Sequence, residues 1–83
     1  MARVIMGISI QRRSEAAKDV QDALTECGCF IRTRLGLHQA SDEHCGEDGL
    51  IVLEFIPGAS EHALELKRKL SGIPSVSVKT MEF

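Results

Sequence analysis

The chain has 83 residues, 43% of them apolar, and a net charge of −2 with both signs spread along its length. That is the size of one domain, with a modest core that buries roughly 60–65% of the unfolded surface. Three phenylalanines, no tryptophan and no tyrosine leave few platforms for stacking bases or sugars, and the charge balance disfavours a nucleic-acid interface, which displaces counterions with a basic stripe.

No apolar run approaches the ~20 residues needed to cross a bilayer. The opening run Met1 to Met6 holds one positive charge and continues into Gly7, Ser9 and Gln11 with a period of two, so it reads as a strand and not as a signal peptide. Three cysteines are an odd number, which fits reduced thiols and a cytoplasmic location better than a disulfide framework.

Taken in chain order, Val4, Met6, Ile8 and Ile10 alternate with smaller residues and predict a strand with one apolar face. Ser14 is placed to cap a helix whose stripe is Ala16, Ala17, Val20, Ala23, Leu24 and Cys27. Gly28 is placed to end that helix in a left-handed conformation. A second strand is expected from about Phe30 to His38, then a polar hairpin loop over Gln39–Asp48. The run Leu50–Ile56 is a third strand, apolar except for Glu54, and Pro57-Gly58 ends it. Ser60 is placed to cap a second helix with Ala63, Leu66 and Leu70 on one side and Leu64 widening the stripe. Gly72 and Pro74 close it, and Ser75 to about Met81 forms the last strand.

Two strand–helix–strand units with right-handed crossovers have one compact solution. It is an α+β, ferredoxin-like βαββαβ sandwich, with an antiparallel sheet in the order 4-1-3-2 and both helices on one face. The whole of 1–83 is expected to be this single domain. The greasiest strands, the first and third, belong in the centre. Charged and small polar residues belong on the edges, where they discourage open-ended pairing. Placing Ile8, Leu35, Leu53 and Val78 under the helices leaves Ile5, Gly7, Ser9, Arg32, Arg34, Leu50, Val52 and Glu54 on the outer face. Glu54 is expected to pair across strands with Arg32 or Arg34. The oligomer face assigned here is Ile5, Arg32, Arg34, Leu50, Val52 and Glu54, buried by a second copy in a dimer or tetramer.

With the elements laid out, four stretches carry a family resemblance. They are the opening apolar strand, Arg34-Leu35-Gly36-Leu37, Leu50-Ile51-Val52-Leu53, and the closing run Lys69 to Thr80. Together they make the chain resemble a family of small ACT-like proteins assigned to regulation of the iron-only hydrogenase system. The resemblance covers nearly the whole chain. It implies a fold akin to the effector domain of the nickel-responsive repressor, a homo-oligomer and a regulatory role. No helix-turn-helix accompanies it, so direct reading of DNA is not expected.

Gln11, Arg12, Arg13 and Ser14 form the candidate ligand site, between a strand and a helix N-terminus. Free N–H groups and the dipole favour an anion there, and guanidiniums can add paired hydrogen bonds. A solvated charged turn explains the same residues. The resemblance points to a small effector near this loop and at subunit contacts. Cys27, Cys29, His38, His44 and Cys45 are the residues of a nickel- or zinc-binding alternative. The spacing Cys27-Gly28-Cys29 is tighter than paired zinc ligands show, and Cys27 reads as packing in the helix stripe. The acidic run Asp42–Asp48 lacks the ligand pattern of a calcium loop and reads as a solvated hairpin tip. No cofactor is expected.

The expected function is therefore a non-enzymatic regulatory or sensor module that binds a small effector or a protein partner. An acylphosphatase would fit length and strand order, but it needs a glycine-rich cradle and an asparagine. The segment Ile10–Ser14 holds no glycine and the chain has no asparagine at all. An RNA-recognition module needs aromatics on the central strands; only Phe55 is available, and it is expected on the helix side.

Overall fold

The computed structural model describes residues 3–11, 13–40 and 45–83, with side chains described outside 13–15, 37–40 and 45–48. The elements are β1 (Val4–Ile10), α1 (Arg13–Glu26), a 3-10 turn (Gly28–Phe30), β2 (Ile31–Ala40), β3 (Cys45–Phe55), α2 (Ser60–Ser71) and β4 (Val76–Glu82). They form a four-stranded antiparallel sheet in the order β2-β3-β1-β4, which is the expected 4-1-3-2 order read from the other edge. The fold is ferredoxin-like α+β, with both helices on one face.

Alternation builds the core. Val4, Met6, Ile8 and Ile10 from β1 and Ile51, Leu53 and Phe55 from β3 all point into the helix layer. There they meet Ala16, Val20, Ala23, Leu24 and Cys27 from the first helical segment and Ala63, Leu66 and Leu70 from α2. Each fully buried leucine or isoleucine contributes about 1.5–3 kcal/mol relative to exposure. The small alanines let the helices approach the sheet closely. Leu64, expected to widen the stripe, is 58% exposed; it lies next to Ala63 but a hundred degrees round the helix, beyond the contact with the sheet.

Several local features differ from expectation. Gly28 does not have positive φ; it opens the 3-10 turn, whose last amide (Phe30) donates to the Cys27 carbonyl at 2.9 Å. The N-cap of α2 is Ala59, with no side-chain cap, and Ser60 is already helical. Ser14 likewise lies inside α1, which starts at Arg13. The hairpin is longer than expected, because β2 runs to Ala40 and β3 begins at Cys45. Polar residues thus continue the ladder where a loop was expected, since backbone pairing does not need apolar side chains. The acidic run was expected at its tip, where 41–44 lie outside the described residues.

The largest correction concerns β2. Ile31 sits opposite Phe55, but Thr33 sits opposite Glu54, so Arg32 is an extra residue on its strand. Such a β-bulge inverts the alternation downstream of it. Ile31 stays beside Phe55 against the core. Beyond the bulge, Arg34 and Gly36 share the helix face with Leu53 and Ile51, while Thr33, Leu35 and Leu37 take outer-face positions beside Glu54, Val52 and Leu50. Leu35, expected inside, is 53% exposed.

Candidate functional site

The outer sheet face is built from alternate positions of all four strands. Gly7 lies between Val52 and Lys79, Ile5 between Glu54 and Met81, and Ser9 between Leu50 and Ser77. With Leu35 beside Val52, the face is an apolar strip bordered by charge. Leu50 and Met81 on it are 41% and 57% exposed. Among the described residues no helix or loop packs over this surface. Of the six residues assigned to the oligomer face, four lie on it (Ile5, Leu50, Val52 and Glu54), Arg32 is at the bulge, and Arg34 is on the opposite side.

Arg34 is a correction with a clear partner. Its guanidinium donates to the side-chain carbonyl oxygen of Gln21 on α1. Glu54 consequently pairs with neither predicted arginine. Its carboxylate accepts from Thr33 Oγ1 at 3.3 Å and lies 3.3 Å from Arg3 Nε. Arg3 carries no strand periodicity and precedes β1 by one residue, so sequence pattern gave no signal for it. The antiparallel closure of β1 with the chain end explains its position: Arg3 and Phe83 exchange backbone hydrogen bonds, the Phe83 amide donating to Arg3 at 2.9 Å and the Arg3 amide to Phe83 at 3.3 Å.

The corner predicted as a ligand site is held by the backbone. The Gln11 amide donates to the Ser75 carbonyl at 2.8 Å, and Ser75 has φ of 70°, in the left-handed region. Beside this corner lies a shallow groove of about 200 Å³ lined by Ala16, Asp19, Ile73 and Pro74. Its volume is below the roughly 300–1,000 Å³ of ordinary ligand pockets, and Asp19 puts a carboxylate where an anion was expected. Arg12 and the side chains of Arg13 and Ser14 lie outside the described residues.

Cys27 is buried as expected, and burial is the main cause that pushes its thiol above the ordinary value of 9.0; Lys69 opposes the shift. Cys29, two residues on, is exposed. Among the described residues no three His, Cys, Asp or Glu side chains gather as a metal set; His44 and the side chains of His38 and Cys45 lie outside the description. Two contacts were not expected. The Lys69 ammonium donates to Glu26 at 2.8 Å, joining the two helices, in addition to the i,i+4 contact with Glu65 at 3.9 Å that the sequence spacing predicts. The His62 imidazole is stacked on Phe30 with ring centroids 3.5 Å apart and planes 10° apart. A 32-residue separation hides such a stack from any local pattern.

No family model matches this chain, and no curated protein matches it. Solved structures do. An uncharacterized protein from Thermotoga maritima superposes with a TM-score of 0.75 at 24% identity, over 100% of this chain and 99% of that one. CPII from Thiomonas intermedia K12, a nitrogen regulatory PII-like protein bound to ADP, AMP and bicarbonate, gives 0.65 at 10% identity, over 100% and 91%. The regulatory subunit of aspartate kinase from Thermus thermophilus gives 0.61 at 17% identity, over 96% of this chain and 50% of that one. The chain shares the fold of these proteins. No helix among its described residues is long and apolar enough to cross a membrane.

Proposed function

We propose that the chain is a non-enzymatic, cytoplasmic regulatory module that works as a homo-oligomer and binds a small effector or a protein partner. One observation carries this reading: a single sheet face is covered by helices, while the other presents Leu35, Leu50 and Met81 to solvent. A small domain with a core on one side only gains most by burying the second face in protein contact. The fold neighbours support the regulatory half of the reading, since one is a PII-like protein bound to ADP, AMP and bicarbonate and another is a regulatory subunit. The connection to the iron-only hydrogenase system rests on the sequence resemblance in Arg34–Leu37, Leu50–Leu53 and Lys69–Thr80.

Effector binding would act by coupling: a ligand that prefers one oligomeric state shifts the population toward it by its difference in affinity. The corner at Gln11, Arg12, Arg13 and Ser14 is the proposed effector position. Its groove is small for a complete ligand site, so a second subunit would supply the remaining walls. Light scattering at tens of micromolar should give a mass above 9.1 kDa, and a thermal-shift screen of amino acids, nucleotides and divalent metals should find a stabilising ligand. A monodisperse monomer that no compound stabilises would overturn the reading.

A further inference from the structure

Between α1 and β2 two cysteines flank a single glycine. Cys27 is buried against the core and Cys29 is exposed. Cys27 is the N-cap of the 3-10 turn Gly28–Phe30, with φ of −99° and ψ of 11°, in the bridge region that turns use. On a helix of about three residues per turn and about 2.0 Å rise, residues two apart have Cα atoms about 5 Å from each other. That lies inside the roughly 4.4–6.8 Å a disulfide spans. Their side chains leave the axis about 120° apart, so direction and not distance keeps both thiols free.

Little holds that direction. Two backbone hydrogen bonds close the turn, from the Phe30 amide to the Cys27 carbonyl at 2.9 Å and from the Ile31 amide to the Gly28 carbonyl. Gly28 has nothing within 4 Å of where a Cβ would stand, and glycine has the widest choice of φ and ψ. The backbone between the cysteines can therefore rotate without displacing a side chain. Cys45 is remote from them. It begins the 11-residue β3, whose other end, Phe55, pairs with Ile31, which puts it roughly 33 Å away at about 3.3 Å per residue.

We propose that Cys27 and Cys29 are a reversible thiol–disulfide pair, oxidised by a low-molecular-weight disulfide, and that closing the bond releases Phe30 from His62. Cys29 meets the oxidant first because it is exposed. Its thiolate attacks one sulfur of the small disulfide, forming a mixed disulfide and releasing a small thiol that carries the proton Cys29 gave up. The turn then opens, and the Cys27 thiolate attacks Cys29 Sγ. The Cys27–Cys29 bond forms, and the second small thiol leaves with the proton from Cys27. The protein thiols lose two electrons and the small disulfide gains them. Lys69 favours the anionic form of Cys27 against its burial, while Glu65 and Glu26 oppose it. A bond across so short a loop is strained, and strained, exposed disulfides are the readily reduced, regulatory kind.

Phe30 carries the change outward. Its amide is held by the Cys27 carbonyl, its carbonyl accepts from the Ile56 amide at 2.9 Å, and its ring is stacked on His62 of α2. Rotating the turn breaks the first contact and swings the ring off the third.

The test is titration of the native protein with mixtures of oxidised and reduced glutathione, read by intact mass and by mapping the tryptic peptide 19–32. Wild type should lose two hydrogens, with the bond inside that peptide, and Cys45→Ser should behave alike. Cys27→Ser should stop at a glutathione adduct on Cys29. Cys29→Ser, a change at an exposed position, should leave Cys27 unmodified. In the oxidised protein the Phe30 amide should exchange at least tenfold faster and the His62 ring protons should shift, while the paired Met6 and Leu53 amides keep their protection. A wild-type adduct on Cys29 that never closes, a bond joining two chains, closure only in denaturant, or glutathione on Cys27 in Cys29→Ser would each overturn the pair. Closure with Phe30 and His62 unmoved would overturn the release.

Discussion

Leu53 and Val52 are neighbours in β3, yet they belong to different molecules in all but the covalent sense. Leu53 is fully buried among the helices, while Val52 is half-buried on the outer face between Gly7 and Leu35. The first face is committed to stability. The second has the same apolar character at several positions but no partner from its own chain among the described residues. The difference teaches that hydrophobicity alone does not mark the core of a two-layer sandwich; what marks it is phase relative to the helices.

The sharpest way to break this comparison is to truncate both neighbours. Leu53→Ala should cost about 2–5 kcal/mol, as deletions in tight cores do. Val52→Ala in the dilute monomer should cost less than about 1 kcal/mol, since much of its surface is already wet. Denaturant midpoints at constant m-value would read both. Equal losses would show that the two faces are not distinct.

A smaller effect probes the rim where the 3-10 turn meets α2. The Phe30–His62 stack should contribute about 0.5–1.5 kcal/mol beyond the burial of each ring. A double-mutant cycle with Phe30→Leu and His62→Ala should return a coupling of that size, and additive losses would reduce the stack to mere proximity.

The smallest effect lies between the helices, at Glu26 and Lys69. A hydrogen bond from Lys69, then its charge, holds the Glu26 carboxyl below its ordinary 4.5, and the reciprocal contacts hold Lys69 above its ordinary 10.5. The acid contribution is present above 4.5 and lost as pH falls through the lowered folded value; the amine contribution is present below 10.5 and lost as pH rises through the raised one. Both side chains are exposed and screened, so the effect should be slight. Glu26→Gln should flatten the acid limb of a stability–pH curve by removing a slight stabilisation near neutrality, and leave the acid end, where the carboxyl is protonated, unchanged. Cys27, buried beside this pair, should resist alkylation in the native protein while Cys29 reacts, as peptide mass mapping would show.

Much of this was legible in the residues themselves. The clean alternation of Val4, Met6, Ile8 and Ile10 declared β1, and Leu66 with Leu70 declared the inner side of α2. The central strands were recognisable because they are the greasiest. The second strand was misread in phase because its bulge residue is an arginine and not a glycine, so nothing in the composition of Phe30-Ile31-Arg32 marks an extra position. The cap at Ala59 has no side-chain signature, and the partners of Glu54 and His62 are set by tertiary closure. Of the candidate site, the share supplied by β1 and β3 was readable, and the share supplied by β2 was not.

The extra residue at Arg32 also makes this surface sensitive to length in a way that substitution is not. Removing one residue there would advance the rest of the strand by a single step. Leu35 would turn toward the helices and Arg34 toward the outer face, so that the part of that face supplied by β2 would trade a leucine for an arginine without altering any other side chain. Chains of this fold that differ by one residue between the 3-10 turn and the second strand should therefore differ in what they adhere to, even where their cores are interchangeable.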